Sequence, residues 1–211
     1  MSVLNEISEF LQKGRAKNVK ALVQQALDEG VDPKQILEEG LLSGMGIIGT
    51  KFKNNEVFVP EVLIAARAMN AGVEVLKPHL VSEGVESKGT AVIGTVKGDL
   101  HDIGKNLVKM MMEGQGLEVF DLGVDVPAEK FVEAVKEHNA KIVCCSALLT
   151  TTMNEMKNVV DAFVAAGIRD QVKIMVGGAP VTQAFCDSIG ADCYTEDAAS
   201  AAEAALKLCT E

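Results

Sequence analysis

The residues with the clearest chemical potential lie in segment 97–106, directly after a short apolar run. Asp99 and His101 are two residues apart there, and Gly104 follows three residues later. A histidine on a loop can bind a metal through one ring nitrogen, while a nearby carboxylate accepts a hydrogen bond from the other and fixes the tautomer. Gly98 and Gly104 lack side chains, so a flat, wide ligand can approach the backbone.

One histidine and one aspartate do not make a zinc site, which needs three or four protein ligands. A metal held by one protein ligand must bring its other ligands along, which points to a macrocycle. The alternative is structural, with His101 capping a helix or pairing with Asp99, and the loop alone does not decide between the two. The segment matches neither a dinucleotide-binding glycine pattern nor a phosphate loop.

Two later apolar runs are followed by further candidate residues. After the first run, the residues of interest are Ser146, Leu148, Thr150 and Thr152. Their hydroxyl groups can bind a buried heteroaromatic group, or Thr150 to Thr152 can cap a helix. After the second run, Gly177 and Gly178 either let a ligand approach the protein backbone closely or form a tight strand-to-helix turn.

The first eighty residues have the pattern of helices, because apolar residues recur every three or four positions. Glycines end the first two helices, and Asp32-Pro33 supplies an N-cap followed by proline for the third. Pro60 and Pro78 begin and end the fourth. Four helices with short connections predict a four-helix bundle over residues 1–84.

After a polar, glycine-containing linker at 81–89, the apolar period changes. Short apolar runs lie at 91–96, 117–122, 142–148 and 172–176, with a weaker one at 192–195. Helix-like segments lie between and after them, at about 102–114, 127–138, 152–166, 180–189 and 197–209. This alternation predicts an α/β domain over residues 89–211 with a doubly wound, five-stranded parallel sheet. Its ligands are expected at the carboxyl ends of the strands.

Together the three candidate elements resemble one family signature. The motifs Asp99-x-His101-x-x-Gly104, Ser146-x-Leu148 and the glycine pair after the fourth strand are similar to the D-x-H-x-x-G, S-x-L and G-G motifs of cobalamin-binding domains. These domains bind the cofactor with its own base detached and a histidine in its place. One such motif alone is weak, but all three in order, each after a predicted strand, are specific.

The resemblance implies a role for each residue. His101 replaces the cofactor's dimethylbenzimidazole as axial ligand to cobalt, Asp99 orients His101, and Thr152 extends the hydrogen-bond relay. The pocket for the detached nucleotide tail is lined by Ser146 and Leu148 and bordered by Gly177 and Gly178. The remaining cofactor-binding positions are Asp102, Ile103, Gly104 and Thr150. The implied cofactor is cobalamin or a related corrinoid, passing between methylcobalamin and cob(I)alamin.

The segment 52–62 resembles the helical cap of methionine synthase and of small corrinoid methyl-carrier proteins of methyltransferase systems. In that cap, apolar residues cover the upper face of the cobalt. The matching positions here are Phe52, Phe58, Val59 and Val62. The alternative is that these residues are ordinary bundle core, and it is strongest for Val62.

Composition limits the classes of partner. The net charge is −10 without a basic stripe, which argues against nucleic acid. No apolar run reaches the roughly 18–20 residues needed to span a bilayer, so no membrane is expected. Five cysteines without a C-x-x-C motif favour reduced thiols and a cytoplasmic protein.

The resemblance therefore implies a methyl carrier that is not catalytic alone. It accepts a methyl group on cobalt from a substrate:corrinoid methyltransferase and passes it to a second, corrinoid:acceptor methyltransferase, with a reductive activase as a further partner. Two alternatives share part of the signature. They are the cobalamin subunit of an adenosylcobalamin mutase, which generally lacks the helical cap, and a cobalamin-sensing regulator, which usually adds a DNA-binding domain.

Overall fold

The computed structural model describes residues 2–82 and 86–210, apart from the side chain of Val81. The chain forms two compact units. The first comprises residues 1–87 together with 114–116, and the second comprises 88–113 and 117–211. The predicted boundary at residue 84, and with it the centre of the predicted linker, lies outside the described residues.

The first unit is helical. Its elements are α1 (Val3–Gln12), α2 (Ala16–Asp28), α3 (Pro33–Gln35), a π-helix (Ile36–Leu42), α4 (Ser43–Lys53) and α5 (Val59–Ser82). The third predicted helix is therefore a continuous helical segment whose middle is π-helical. As predicted, Asp32 caps its start, since the carboxylate accepts hydrogen bonds from the backbone N–H groups of Lys34 (2.7 Å) and Gln35 (3.2 Å).

The core of this unit is aliphatic. Large side chains that are fully buried in it include Ile7, Leu11, Ile36, Leu41, Met45, Ile48 and Leu76. Gly40 lies in the π-helix, where an added Cβ would be 3.1 Å from Cγ2 of Ile7. The missing side chain thus lets the π-helical turn pack directly against α1.

Two predicted boundaries of the fourth helix were wrong. The helix begins at Val59, because the Glu61 carboxylate accepts a hydrogen bond from the backbone N–H of Phe58 (3.0 Å) and caps the first turn. It also continues through Pro78 to Ser82. A proline removes one backbone donor but has a helical φ, so one further turn can follow it. In that turn the Ser82 hydroxyl donates to the carbonyl of His79 (2.7 Å).

The second unit contains a five-stranded parallel sheet of order β2-β1-β3-β4-β5, which confirms the predicted fold class. The strands are β1 (Thr90–Thr95), β2 (Glu118–Asp121), β3 (Ile142–Ser146), β4 (Lys173–Gly177) and β5 (Cys193–Tyr194). The helices are α6 (Ile103–Gly114), α7 (Ala128–His138), α8 (Asn154–Ala165), α9 (Gln183–Ile189) and α10 (Ala198–Thr210), with a 3-10 turn at Arg169–Gln171. Strand order reverses between β1 and β3, which is where such sheets bind ligands.

Register aligns the carboxyl ends of the three central strands. Thr95 of β1 lies beside Ser146 of β3, and Ser146 lies beside Gly177 of β4. Below this row the sheet packs tightly, since an added Cβ at Gly94 would lie 2.9 Å from the Phe131 ring of α7. The candidate residues that follow these strands are thus brought to one edge of a rigid sheet.

In residues 2–82 and 86–210, no helix is both long and apolar enough to cross a membrane. All five cysteines are free thiols.

The segment 86–89, between α5 and β1, predicts the site of first proteolysis. Residues 86–88 are exposed and have no helical or strand hydrogen bonding, so a protease can bind them in an extended form. Brief digestion with trypsin should cut first at Lys88, as measured by intact mass of the fragments. First cleavage inside the helices or within the sheet unit would contradict the predicted linker.

Candidate functional site

The Asp99 carboxylate is the centre of the candidate site. Asp99 lies in the loop between β1 and α6 and is fully buried. Its Oδ1 accepts hydrogen bonds from the backbone N–H of His101 (3.1 Å) and from Nδ1 of the same residue (2.7 Å). Its Oδ2 accepts from the backbone N–H groups of Leu148 (2.8 Å) and Leu149 (3.2 Å), and lies 2.8 Å from the Thr152 hydroxyl.

These contacts determine the charge of Asp99. Burial alone would raise the pKa of the carboxyl group, because it disfavours the charged form. The hydrogen bonds from Leu148, His101 and Thr152 outweigh burial and hold the pKa of Asp99 well below its usual range. Asp99 is therefore an anion that accepts hydrogen bonds at any physiological pH.

His101 is oriented by this anion. A carboxylate can only accept, so Nδ1 of His101 carries the shared hydrogen. The other ring nitrogen, Nε2, then has the free lone pair in the neutral ring. The side chain is 51% exposed, which leaves it accessible to a ligand even though its Asp99 partner is buried. This is the arrangement of a metal-binding histidine whose second nitrogen is fixed by a carboxylate.

The turn after β3 completes the relay. Thr152 is buried, and its hydroxyl lies 2.8 Å from Asp99 and 2.9 Å from the carbonyl of Leu149. Thr150 is exposed. The alternative that a threonine caps α8 is wrong, because the helix begins at Asn154, after Met153, without a side-chain cap.

The two glycines after β4 differ in their surroundings. An added Cβ at Gly178, whose φ is +135°, would lie 1.8 Å from the carbonyl oxygen of Ala147. Gly178 is thus required by the close approach of the β3 and β4 ends. At Gly177 an added Cβ would meet nothing within 4 Å, and the same holds for Gly104 at the start of α6. These two positions leave open space for a ligand.

Exposed apolar side chains occur in the same two loops as the relay. They are Leu100 (71% exposed), Ile103 (74%), Leu148 (43%) and Leu149 (42%). Apolar groups at such exposure indicate a surface that is covered when a ligand binds. Leu100 and Leu149 were missed in the sequence analysis, although an apolar residue within a polar loop was the available signal.

Two aspartates hold the ends of the His101 loop. Asp102, a predicted cofactor-binding residue, accepts a hydrogen bond from the side-chain amide of Asn106 (3.2 Å) and so supports the start of α6. Asp125 was missed by the sequence analysis. Its carboxylate accepts from the backbone N–H of Gly98 (2.7 Å), and its own N–H donates to the carbonyl of Asp99 (3.0 Å). Nothing in the sequence marks Asp125, because its contact depends on where the chain returns after β2.

The residues present fit a metal that brings its own macrocycle. Throughout the described part of the chain, no group of three or more His, Cys, Asp or Glu side chains is placed to hold a metal ion. The loops offer one imidazole nitrogen, exposed apolar side chains and open space at Gly104 and Gly177. Such a set can provide one nitrogen ligand and an apolar surface to a metal that brings its other ligands with it.

The candidates in the helical unit differ in exposure. Phe58 is 62% exposed, whereas Phe52 and Val59 are partly buried. Val62 is fully buried and belongs to the bundle core. Three further exposed apolar residues of this unit, not selected from the sequence, are Ile47, Leu63 and Ile64.

Comparison with known proteins identifies the family. Residues 89–206 match the B12 binding domain family, and residues 3–77 match a second family described as a B12 binding domain. Dimethylamine corrinoid protein 2 of Methanosarcina acetivorans is 45% identical over 208 residues, covering 98% of this chain and 95% of that protein. The chain belongs to the corrinoid protein family.

Further relatives of this corrinoid protein agree. Trimethylamine corrinoid protein 1 of Methanosarcina acetivorans is 49% identical over 179 residues, covering 84% of this chain and 83% of the relative. The crystal structure of the methanol:cobalamin methyltransferase complex MtaBC from Methanosarcina barkeri contains a similar chain. Its TM-score is 0.89 at 33% identity, covering 99% of this chain and 80% of that one.

These findings confirm the principal predictions from sequence. The chain binds a corrinoid cofactor through an α/β domain preceded by a helical unit, and it serves as a methyl carrier. The similar chain of known structure is part of a methyltransferase complex.

The Asp99 contacts predict a pH-dependent effect of Asp99→Asn on the cofactor-free protein. The asparagine side chain would place an NH2 group, itself a donor, against N–H and O–H groups that also donate. The free energy of unfolding at pH 7 should therefore fall by about 2–4 kcal/mol. The folded-state pKa lies below the unfolded value, so the stability from the carboxylate is complete above that value and is lost as the pH falls. Urea unfolding should therefore show a difference from wild type that shrinks between about pH 5 and pH 3.

Asp187→Asn is the matched control, because Asp187 is exposed and accepts from the Gln183 side chain within the same helix. It should stay within about 0.5 kcal/mol of wild type. An Asp99→Asn difference that is constant with pH would show that the ionised carboxylate is not the stabilising group.

Proposed function

We propose that His101 is the protein residue that would bind the corrinoid cobalt. The observation that carries the proposal is the His101 ring itself, half exposed, with Nδ1 bonded to the buried Asp99 and Nε2 free. When bound, the corrinoid supplies a cobalt that accepts a methyl group and later gives it up. The chain accepts that group from a substrate methyltransferase and delivers it to a second methyltransferase.

The Asp99 relay has two tasks in this proposal. It fixes the ring orientation, so that Nε2 meets the metal without a loss of rotational freedom at each cycle. It also fixes the tautomer, because the Asp99 carboxylate lies 2.7 Å from Nδ1 and accepts the hydrogen that this nitrogen carries. The lone pair is therefore left on Nε2. The Thr152 hydroxyl lies 2.8 Å from Oδ2 of Asp99, the carboxylate oxygen that does not contact His101, and donates a hydrogen bond to it.

The remaining loop residues form the seat. Ile103 and Leu148 offer apolar contact, and the open space at Gly104 and Gly177 admits a flat ring and its detached nucleotide tail close to the backbone. Ser146, at the end of β3, is placed beside Gly177 and can donate a hydrogen bond to that tail.

In the same proposal, the helical unit provides the residues that cover the cofactor. Phe58, which is exposed, and the neighbouring Val59 and Phe52 belong to the segment that resembles the cap over the upper face of cobalt. The proposed domains are residues 1–84 and 89–211. An apolar cover of this kind would exclude water from a reactive metal centre.

The methyl donor and the remaining partner are inferred from the relatives. Two relatives with 45% and 49% identity are named for dimethylamine and trimethylamine, which supports a methylamine:corrinoid methyltransferase as the first partner. A reductive activase would be the further partner of this proposal. Five free thiols support a cytoplasmic location.

His101→Ala tests the ligand. Protein reconstituted with hydroxocobalamin should bind one corrinoid per chain, with an absorption spectrum of histidine-ligated, base-off cofactor. The variant should lose the spectral form with a protein nitrogen and bind about tenfold more weakly or worse, because a metal ligand and its orientation are removed together.

Two other histidines serve as controls. His79 lies in the last turns of α5, and His138 stacks on Phe120 with ring centroids 3.6 Å apart. Their alanine variants should retain the wild-type spectrum. If His101→Ala kept that spectrum as well, the ligand assignment would be wrong.

A further inference from the structure

A second contact holds His101 independently of Asp99. Thr95, the last residue of β1, is fully buried, and its hydroxyl donates to the backbone carbonyl of His101 (2.8 Å). Asp99 binds the backbone N–H and the ring of His101, whereas Thr95 binds the other end of the same residue. The two contacts therefore fix the direction of the backbone from which the imidazole extends.

Thr95 cannot move to follow the loop. Its backbone N–H donates to the carbonyl of Gly123 (3.0 Å), and its carbonyl accepts from the N–H of Val126 (3.0 Å). Its strand is paired on both sides, with β2 and with β3. The hydroxyl thus connects the His101 backbone to an inner strand of the sheet.

The residues after the His101 loop are connected to the same turn after β2 that binds Thr95. The Lys105 side chain is 2% exposed, and its Nζ lies 2.6 and 2.7 Å from the two carboxylate oxygens of Asp121. Asp121 also accepts from the backbone N–H of Gly123 (2.9 Å), the residue whose carbonyl binds Thr95. Thr95 before the His101 loop and Lys105 after it are therefore both connected to the turn after β2, through Gly123 and Asp121.

We propose that Thr95 is a positioning residue for the cobalt ligand, a role that rests on the proposed ligation by His101. Its hydroxyl fixes the position of the His101 backbone relative to the sheet, and with it the position of Nε2. Without it, the His101 carbonyl turns to water, since the side chain beside it is half exposed, and the ring leaves the position that the metal requires. The effect falls on the cofactor-bound state, in which the ring position matters most.

Thr95→Val and Thr95→Ser separate the hydroxyl from the packing. Valine has nearly the same shape but no donor, and serine restores the donor. Titration with hydroxocobalamin, followed by absorbance, should show about three- to tenfold weaker binding for Thr95→Val, the equivalent of one lost hydrogen bond. Its spectrum should contain a larger fraction without protein nitrogen. Thr95→Ser should restore the histidine-ligated spectrum.

Thr210→Val is the matched control. The Thr210 hydroxyl also lies within reach of backbone carbonyls, those of Leu206 and Lys207, but in the last turn of α10. This variant should match wild type in affinity and spectrum. Thermal unfolding of each cofactor-free variant checks the fold. Thr95→Ala, which also lacks a side-chain donor, replaces Thr95→Val if the latter does not fold.

The outcomes distinguish this inference from the ligand assignment. Wild-type affinity and spectrum in Thr95→Val, or failure of Thr95→Ser to restore the spectrum, would overturn the role of Thr95 if His101→Ala still loses the protein nitrogen. If His101→Ala keeps the wild-type spectrum, the ligand assignment fails first, and the role of Thr95 fails with it.

Discussion

The site depends on one buried negative charge. The Asp99 carboxylate is removed from water, and a charge in that position is tolerated only when hydrogen bonds replace its hydration. Its two oxygens accept from two different loops, His101 on one side and the turn from Leu148 to Thr152 on the other. The same contacts that keep Asp99 ionised therefore connect the ends of β1 and β3 and orient the imidazole.

The sheet makes this connection possible. Parallel strands place their carboxyl ends at one edge, and the order β2-β1-β3-β4-β5 puts the two loops that share Asp99 next to each other at the point of reversal. Thr95, Ser146 and Gly177 form a single row across the three central strands. Thr95, which binds the His101 carbonyl, is thus adjacent by register to the two residues that we propose to contact the nucleotide tail and to leave room for it, although the three are distant in sequence.

Much of this arrangement was accessible from the sequence. The alternation of short apolar runs with helical segments predicts the sheet, since a buried strand and an amphipathic helix have different periods. The pairing of Asp99 with His101 was also accessible, because two residues separated by one position in a loop can meet without tertiary information. Those signals depend on local chemistry, which a sequence displays directly.

Other features could not be predicted because they depend on backbone groups or on tertiary contact. The N–H groups of Leu148 and Leu149 that stabilise Asp99 belong to every residue type and leave no mark in the sequence. Gly178 resembles a ligand-facing glycine, yet its φ and the nearby Ala147 carbonyl show that the fold itself requires it. The helix that continues through Pro78 likewise overrides a local rule.

The most direct test of the account is the identity of the nitrogen bound to cobalt. Protein containing 15N-labelled histidine is reconstituted with unlabelled cobalamin, reduced to the cobalt(II) form and examined by electron paramagnetic resonance. An axial 15N nucleus splits each cobalt line into two, whereas an axial 14N nucleus splits it into three. The account predicts two lines. Three lines would show that the nitrogen does not come from a histidine of the protein, and the site built on Asp99 and His101 would not be the cobalt-binding site.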